Sequence, residues 1–197
     1  MTLDLPTLDE ESAKEAIKAV AQLAAENDIA WALAGGVAMI LYGSDRLTKD
    51  VDIVAARQLP KKFKVDGTLR QGGQRYSIKT AKRITSVDWI IRNDGFRDMF
   101  KEALSEAITI GGIPVLTPEW LVILKFIAGR FKDQEDAVFL LSRKGLVNRT
   151  IIKEKIVKHV SREAWELARH GYQRWFDMAD GRAREDERNE AEGYIDS

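Results

Sequence analysis

The segment Asp50–Ala55 reads DVDIVA, an apolar, β-branched run that carries two aspartates two residues apart. Side chains at i and i+2 on a strand point to one face, so the carboxylates of Asp50 and Asp52 share one small region of space. Two like charges held that close repel unless a cation lies between them. Just upstream, IAWALAG reads as a buried strand that ends at Gly35-Gly36, and VAMILYG after the glycines reads as a short helix. The glycine pair thus sits at a strand-to-helix turn. There bare backbone can approach a ligand and helix N-terminal N–H groups can accept an anion, a natural phosphate cradle.

The rest of the chain divides by pattern. Thr7 followed by Glu10 predicts a capping box that opens a helix over 9–26, with Ala16, Val20, Leu23 and Ala24 at helical spacing. Residues 71–92 alternate on both sides of a polar middle and predict two strands joined by a turn at 81–83. A helix is expected over 96–107, and ITIGGIPVLTP reads as a strand pair broken by Gly111-Gly112 or as one strand and its exit. Thr117-Pro118 then opens a helical region, Thr as cap and Pro at the first helical position, with helices expected over 117–131, 134–142, 150–159 and 162–179. Asp133 is read as an N-cap, with Asp136 in the first turn beyond it. The charged segment 181–197 is poor in apolar residues and is expected to be disordered. The plan is a mixed α/β core over 1–116, a helical part over 117–180 and a charged tail.

Composition narrows the chemistry. The 197 residues contain no cysteine, which excludes thiol catalysis, zinc–thiolate sites and iron–sulfur clusters. Lysine plus arginine and aspartate plus glutamate both number 31, so the whole chain carries no broad basic footprint for nucleic acid. The start, MTLDLPTLDEESAKE, is acidic and unlike a signal peptide, and no apolar run approaches the roughly 20 residues of a membrane span. The expectation is a cytoplasmic protein without a membrane partner. His159 and His170 stand at no ligand spacing, and Trp120, Trp165 and Trp175 are read as packing anchors of the helices.

A third acid completes the constellation. Asp88 lies in SVDWII, again a carboxylate inside an apolar strand. Three carboxylates from two strands suit hard divalent cations, which take oxygen ligands and complete their shells with phosphates. Two such ions about 3.5–4 Å apart hold the attacking and leaving oxygens of an in-line phosphoryl displacement.

The run GGVAMILYGSDRLTKDVDIV with the later VDW resembles the signature of the nucleotidyltransferase superfamily that shares the DNA polymerase β fold: glycine pair, helix, Asp-x-Asp, then a third acid on a neighbouring strand. TPEWLVILKFIAGRFKDQEDAVFLL further resembles the lysine-rich helix and Lys-Asp-x-x-Asp segment of the branch containing abortive-infection toxin nucleotidyltransferases. Together these cover about residues 30–141. The resemblance implies an α/β (α+β) nucleotidyltransferase fold, a mixed sheet flanked by helices and followed by a helical C-terminal part. It implies a magnesium- or manganese-dependent enzyme that transfers NMP from an NTP to an acceptor hydroxyl. Asp50 and Asp52 match the metal-binding pair, and Asp88 the third acid, which helps bind the catalytic metal and eases deprotonation of the acceptor. Gly35 and Gly36 match the triphosphate loop, although many members carry Gly-Ser there, whose hydroxyl touches phosphate. Arg46 and Thr48 match the Arg-x-Thr-x-Asp segment before the acids. Lys125, on an apolar and small-residue helix face, is assigned to the nucleotide phosphates.

The acceptor classes are RNA or a tRNA end, a protein side chain and a small molecule. Lys61, Lys62, Lys64, Arg70, Arg75, Lys79, Lys82 and Arg83 lie between Asp52 and Asp88 and lean toward a polyanion such as RNA; the alternative is a solvated loop and hairpin. A toxin of a toxin–antitoxin pair, with a cognate antitoxin protein as partner, is the biological role the branch implies. The alternative to an enzyme is an inactive nucleotidyltransferase fold that binds a nucleotide or a protein partner.

Overall fold

The computed structural model describes residues 7–182, and the expectation for 183–197 lies outside them. The chain forms two compact units that meet in sequence at Thr117/Pro118. The first contains α1 (Glu10–Glu26), β1 (Trp31–Leu33), α2 (Gly35–Leu41), β2 (Asp50–Ala55), β3 (Lys64–Thr68), β4 (Gly73–Lys79), β5 (Ile84–Ile90), α3 (Arg97–Ser105), β6 (Ile108–Ile110) and β7 (Ile113–Val115). Its seven strands form one mixed sheet in the order β3-β4-β5-β2-β1-β7-β6. β2 runs parallel to β5 and β1 parallel to β7, while the other neighbours are antiparallel. This is an α+β fold.

The strand period of two explains the centre of this sheet. In β2, Val51 and Ile53 are fully buried while Asp50 and Asp52 are part-exposed on the other face. In β5, Val87 and Trp89 are fully buried, each worth roughly 1.5–3 kcal/mol of transfer free energy. The Trp89 indole N–H donates to the Arg57 carbonyl at 2.9 Å, which removes the cost of burying it. Helix α1 packs against β2, β4 and β5 through a face that includes Ala16, Val20 and Ala24.

Two details depart from expectation. The N-cap of α1 is Asp9, whose carboxylate accepts from the Ser12 backbone N–H at 3.0 Å, so the Thr7–Glu10 box does not set this helix start. β3 is an edge strand of the sheet, in a part of the basic stretch where no strand was expected. All five of its residues are exposed, so it carries none of the burial alternation by which a strand is recognised.

The second unit contains α4 (Pro118–Ala128), α5 (Phe131–Ser142), α6 (Arg149–His159) and α7 (Arg162–Ala179). α4 ends at Gly129, whose positive φ of 67° is the left-handed stop that glycine adopts without a side-chain penalty, and its N–H reaches the Lys125 carbonyl at 3.0 Å. The next helix begins at Phe131, so Asp133 is its third residue rather than its cap. Its carboxylate nevertheless reaches back to accept from the Arg130 backbone N–H at 3.2 Å. Among the described residues no helix is long and apolar enough to cross a membrane.

Candidate active site

Register builds the site. In the parallel β2/β5 pair Asp52 stands opposite Asp88, and Asp50 lies two residues along the same face. The carboxylates of Asp50, Asp52 and Asp88 each offer an oxygen within 4.8 Å of the others. Asp88 is buried, whereas Asp50 and Asp52 retain contact with solvent. The three acids expected to act together are therefore together.

The glycines are held beside them by sterics. Gly35 has a φ of 54°, and a Cβ there would lie 1.8 Å from Asp52 Oδ2. A Cβ on Gly36 would lie 2.4 Å from Thr48 Oγ1. A side chain at either position would push Asp52 or Thr48 aside, and the positive φ of Gly35 adds backbone strain. Ala34 N–H donates to the Asp52 carbonyl at 2.9 Å, fixing the start of α2 against β2. Thr48 is buried and its hydroxyl donates to the Asp50 carbonyl at 3.2 Å, so it orients the backbone of the first acid. Arg46 is half-buried in the loop before it, its backbone N–H donating to Ser44 Oγ at 3.3 Å.

A residue not assigned from the sequence completes the cluster. Arg75 on β4 pairs in register with Asp88 on β5. Its Nε–H donates to Asp88 Oδ1 at 2.5 Å and an Nη2–H donates to Asp88 Oδ2 at 2.7 Å, a two-pronged guanidinium–carboxylate contact. Nη2 also lies 3.7 Å from Asp50 Oδ2. The hydrogen bond to Asp88 raises the Arg75 pKa, burial opposes this, and the charges of Asp88, Asp50 and Asp52 add to the rise, so the guanidinium is fixed as a cation. The expected turn at 81–83 would have set Arg75 opposite Trp89; the hairpin instead pairs Lys79 with Ile84, a register one residue tighter, and this brings Arg75 to Asp88.

The rest of the basic stretch is partly spoken for. Lys64 pairs with Asp66 at 3.1 Å, Lys82 with Glu11 at 2.7 Å, and Arg83 donates to the Thr7 carbonyl at 2.7 Å. These contacts remove three cations from any uniform surface for a polyanion.

Lys125 lies in the second unit, on α4. It is buried and its ammonium forms a hydrogen-bonded ion pair with Asp136 of α5, with Asp133 Oδ1 at 3.6 Å. Asp133 in turn accepts from Arg130 Nε at 2.6 Å and Nη2 at 3.0 Å. Burial by itself would raise the Asp133 carboxyl, but the Arg130 hydrogen bonds and the charges of Lys125 and Arg130 outweigh it and hold the carboxyl below its ordinary value.

Comparison with solved structures adds the fold. JHP933 from Helicobacter pylori aligns with 16% identity over 97% of this chain and 100% of that one, with a TM-score of 0.50. The chain shares the JHP933 fold. An antigenic nucleotidyltransferase-like protein from Paracoccidioides brasiliensis aligns with 16% identity over 83% of this chain and 94% of that one, at a TM-score of 0.49. No family model matches the chain, and no curated protein does.

Proposed function

We propose that the protein is a nucleotidyltransferase that moves a nucleoside monophosphate from an NTP to an acceptor hydroxyl. The observation that carries this reading is the convergence of Asp50, Asp52 and Asp88 within 4.8 Å on one face of the sheet. It is supported by the fit of that donor set: three carboxylate oxygens, two of them solvent-accessible, are the hard ligands that magnesium or manganese prefers. Asp50, Asp52 and Asp88 would hold the metal, which when bound neutralises charge on the phosphates and on the attacking oxygen.

The residues of this chain then have definable work. The acceptor oxygen bonds to the α-phosphorus, the bond from that phosphorus to the β-bridging oxygen breaks, and pyrophosphate leaves with the electron pair. The hydroxyl proton passes to an oxygen of the Asp88 carboxylate. Gly35 and Gly36 are assigned to the phosphate side of the site, at the strand-to-helix turn packed against Asp52 and Thr48. Thr48 holds Asp50, and Arg46 is assigned to phosphate. The assignment of Lys125 to the nucleotide rests on its apolar helix face and the resemblance, while its charge is met by Asp136 and Asp133. For the acceptor we propose a hydroxyl of RNA or tRNA, with protein and small-molecule hydroxyls as arms of the same screen. A toxin role, opposed by an antitoxin protein, is a further layer; growth arrest on expression that vanishes in Asp52→Asn is its expected sign.

The decisive experiment is melting of the wild type and Asp52→Asn with each NTP, with and without magnesium, followed by pyrophosphate release against the acceptor classes. Magnesium-dependent stabilisation by one NTP, absent from Asp52→Asn, is the expected result. Stabilisation that Asp52→Asn retains, with no pyrophosphate released to any acceptor, would leave only a nucleotide-binding module.

A further inference from the structure

The acid cluster contains three carboxylates, and the Arg75 guanidinium touches the same oxygens that a metal ion would use. Both Asp88 oxygens accept from Arg75, at 2.5 and 2.7 Å, and Asp50 Oδ2 is 3.7 Å from the same group. The Asp88 side chain is only 8% exposed, so its charge requires a partner at all times. The Arg75 side chain is 44% exposed, so its guanidinium can move into water at modest cost. The single charge of Arg75 is shared between Asp88 and Asp50. A divalent cation offsets more, and a +1 guanidinium a few ångströms from a +2 ion is repelled.

We infer that Arg75 is a tethered counter-cation of the acid cluster, which holds Asp88 in the ion-free protein and is displaced from it when a divalent cation binds. Arg75 thereby sets the cation concentration at which the site assembles. The inference rests on the reading of Asp50, Asp52 and Asp88 as metal ligands. Arginine suits this position better than lysine because its planar fork matches both carboxylate oxygens at once and so orients Asp88 as well as neutralising it.

The first test uses the wild-type protein. The Arg75 Nε–H resonance, identified by its loss in Arg75→Lys, should exchange slowly with water in EDTA and quickly once MgCl2 is added, with the change following magnesium-induced melting shifts. A slow Nε–H that persists at saturating magnesium overturns the inference. The second test is titration with MnCl2 followed by electron paramagnetic resonance. Arg75→Gln should bind Mn2+ about tenfold more tightly than wild type, the scale on which one neighbouring unit charge acts in a partly solvated site. Arg75→Lys should fall between the two, and Asp52→Asn should lose the site. Equal or weaker Mn2+ binding by Arg75→Gln overturns the counter-cation role and leaves the metal site standing. Binding by neither wild type nor Arg75→Gln overturns both readings.

Discussion

Each unit of this protein contains one cluster of acids and bases, and the two are built on opposite principles. In the helical unit Lys125 and Arg130 face Asp133 and Asp136, two cations against two anions, with Lys125 and both acids buried. In the sheet unit Asp50, Asp52 and Asp88 gather within 4.8 Å of one another with Arg75 against Asp88, and two of the acids are open to solvent. The first cluster is closed in charge and in hydrogen bonding, so it needs nothing more. The second gathers like charges on a face that solvent reaches. Both begin from carboxylates placed within a few ångströms of each other, and what separates a structural network from a site is the balance and the exposure.

The largest break in this comparison should come from Lys125→Met. It keeps the side-chain volume but leaves Asp136 buried without its cation, and breaking a buried pair in this way costs about 3–5 kcal/mol. Chemical denaturation followed by tryptophan fluorescence measures it. A loss under about 1 kcal/mol would show that the network is not the closed structural unit described above, and would return Lys125 to the list of groups free to meet a phosphate.

Gly35→Ala comes next and falls on the site. The new methyl would meet Asp52 Oδ2 at a position where φ is 54°, so both contact and backbone conformation are penalised, by roughly 1–3 kcal/mol. Asp52 has to move aside, and magnesium-dependent stabilisation by NTP should fall further than the loss of stability alone accounts for. An alanine variant that melts and binds as wild type would show that the approach of Gly35 to Asp52 is not needed.

How much of this could be read from the chain differs between the two clusters. β2 falls on the expected DVDIVA, and β5 on the expected strand around Asp88, because their apolar residues and turn signals are local. The meeting of Asp52 with Asp88 follows once those two strands are neighbours. Arg75 was less legible: the turn expected at 81–83 sets it opposite Trp89, and only the tighter register, with Lys79 opposite Ile84, brings it to Asp88. The pairing of Lys125 with Asp133 and Asp136 was not legible. It depends on how α4 and α5 pack across the reversal at Gly129, and helix periodicity identifies the face a residue occupies without naming the residue on the facing helix. β3 was missed for the converse reason, since a strand with every residue exposed has no hydrophobic pattern to read.

Acid separates the clusters by a smaller amount. The Asp133 carboxyl is held below its ordinary value of 3.8, so its contribution to stability is complete above the unfolded-state value. That contribution is lost as pH falls below 3.8 and through the lower folded-state value. Lys125→Met and wild type should therefore converge in stability as the pH is lowered through this window. Parallel curves down to the acid limit would show that Asp133 stays ionised independently of its neighbours.

The smallest effect, and the one that best sharpens the contrast, is that of Asp52→Asn on the stability of the ion-free protein. Removing one of three clustered charges relieves repulsion, and the amide keeps the shape and a hydrogen-bonding oxygen. The retained Arg75–Asp88 contact means that no buried charge is left bare. The expected change is a gain of up to about 1 kcal/mol in EDTA, with the sign reversed in saturating magnesium, where only the wild type gains from ion binding. This reversal distinguishes a cation site from a salt-bridge network, because a network is weakened by losing a member whatever the metal content of the buffer. If Asp52→Asn costs several kcal/mol in EDTA, the acids on β2 and β5 are bound into the fold as tightly as those on α5, and the distinction between the two clusters fails.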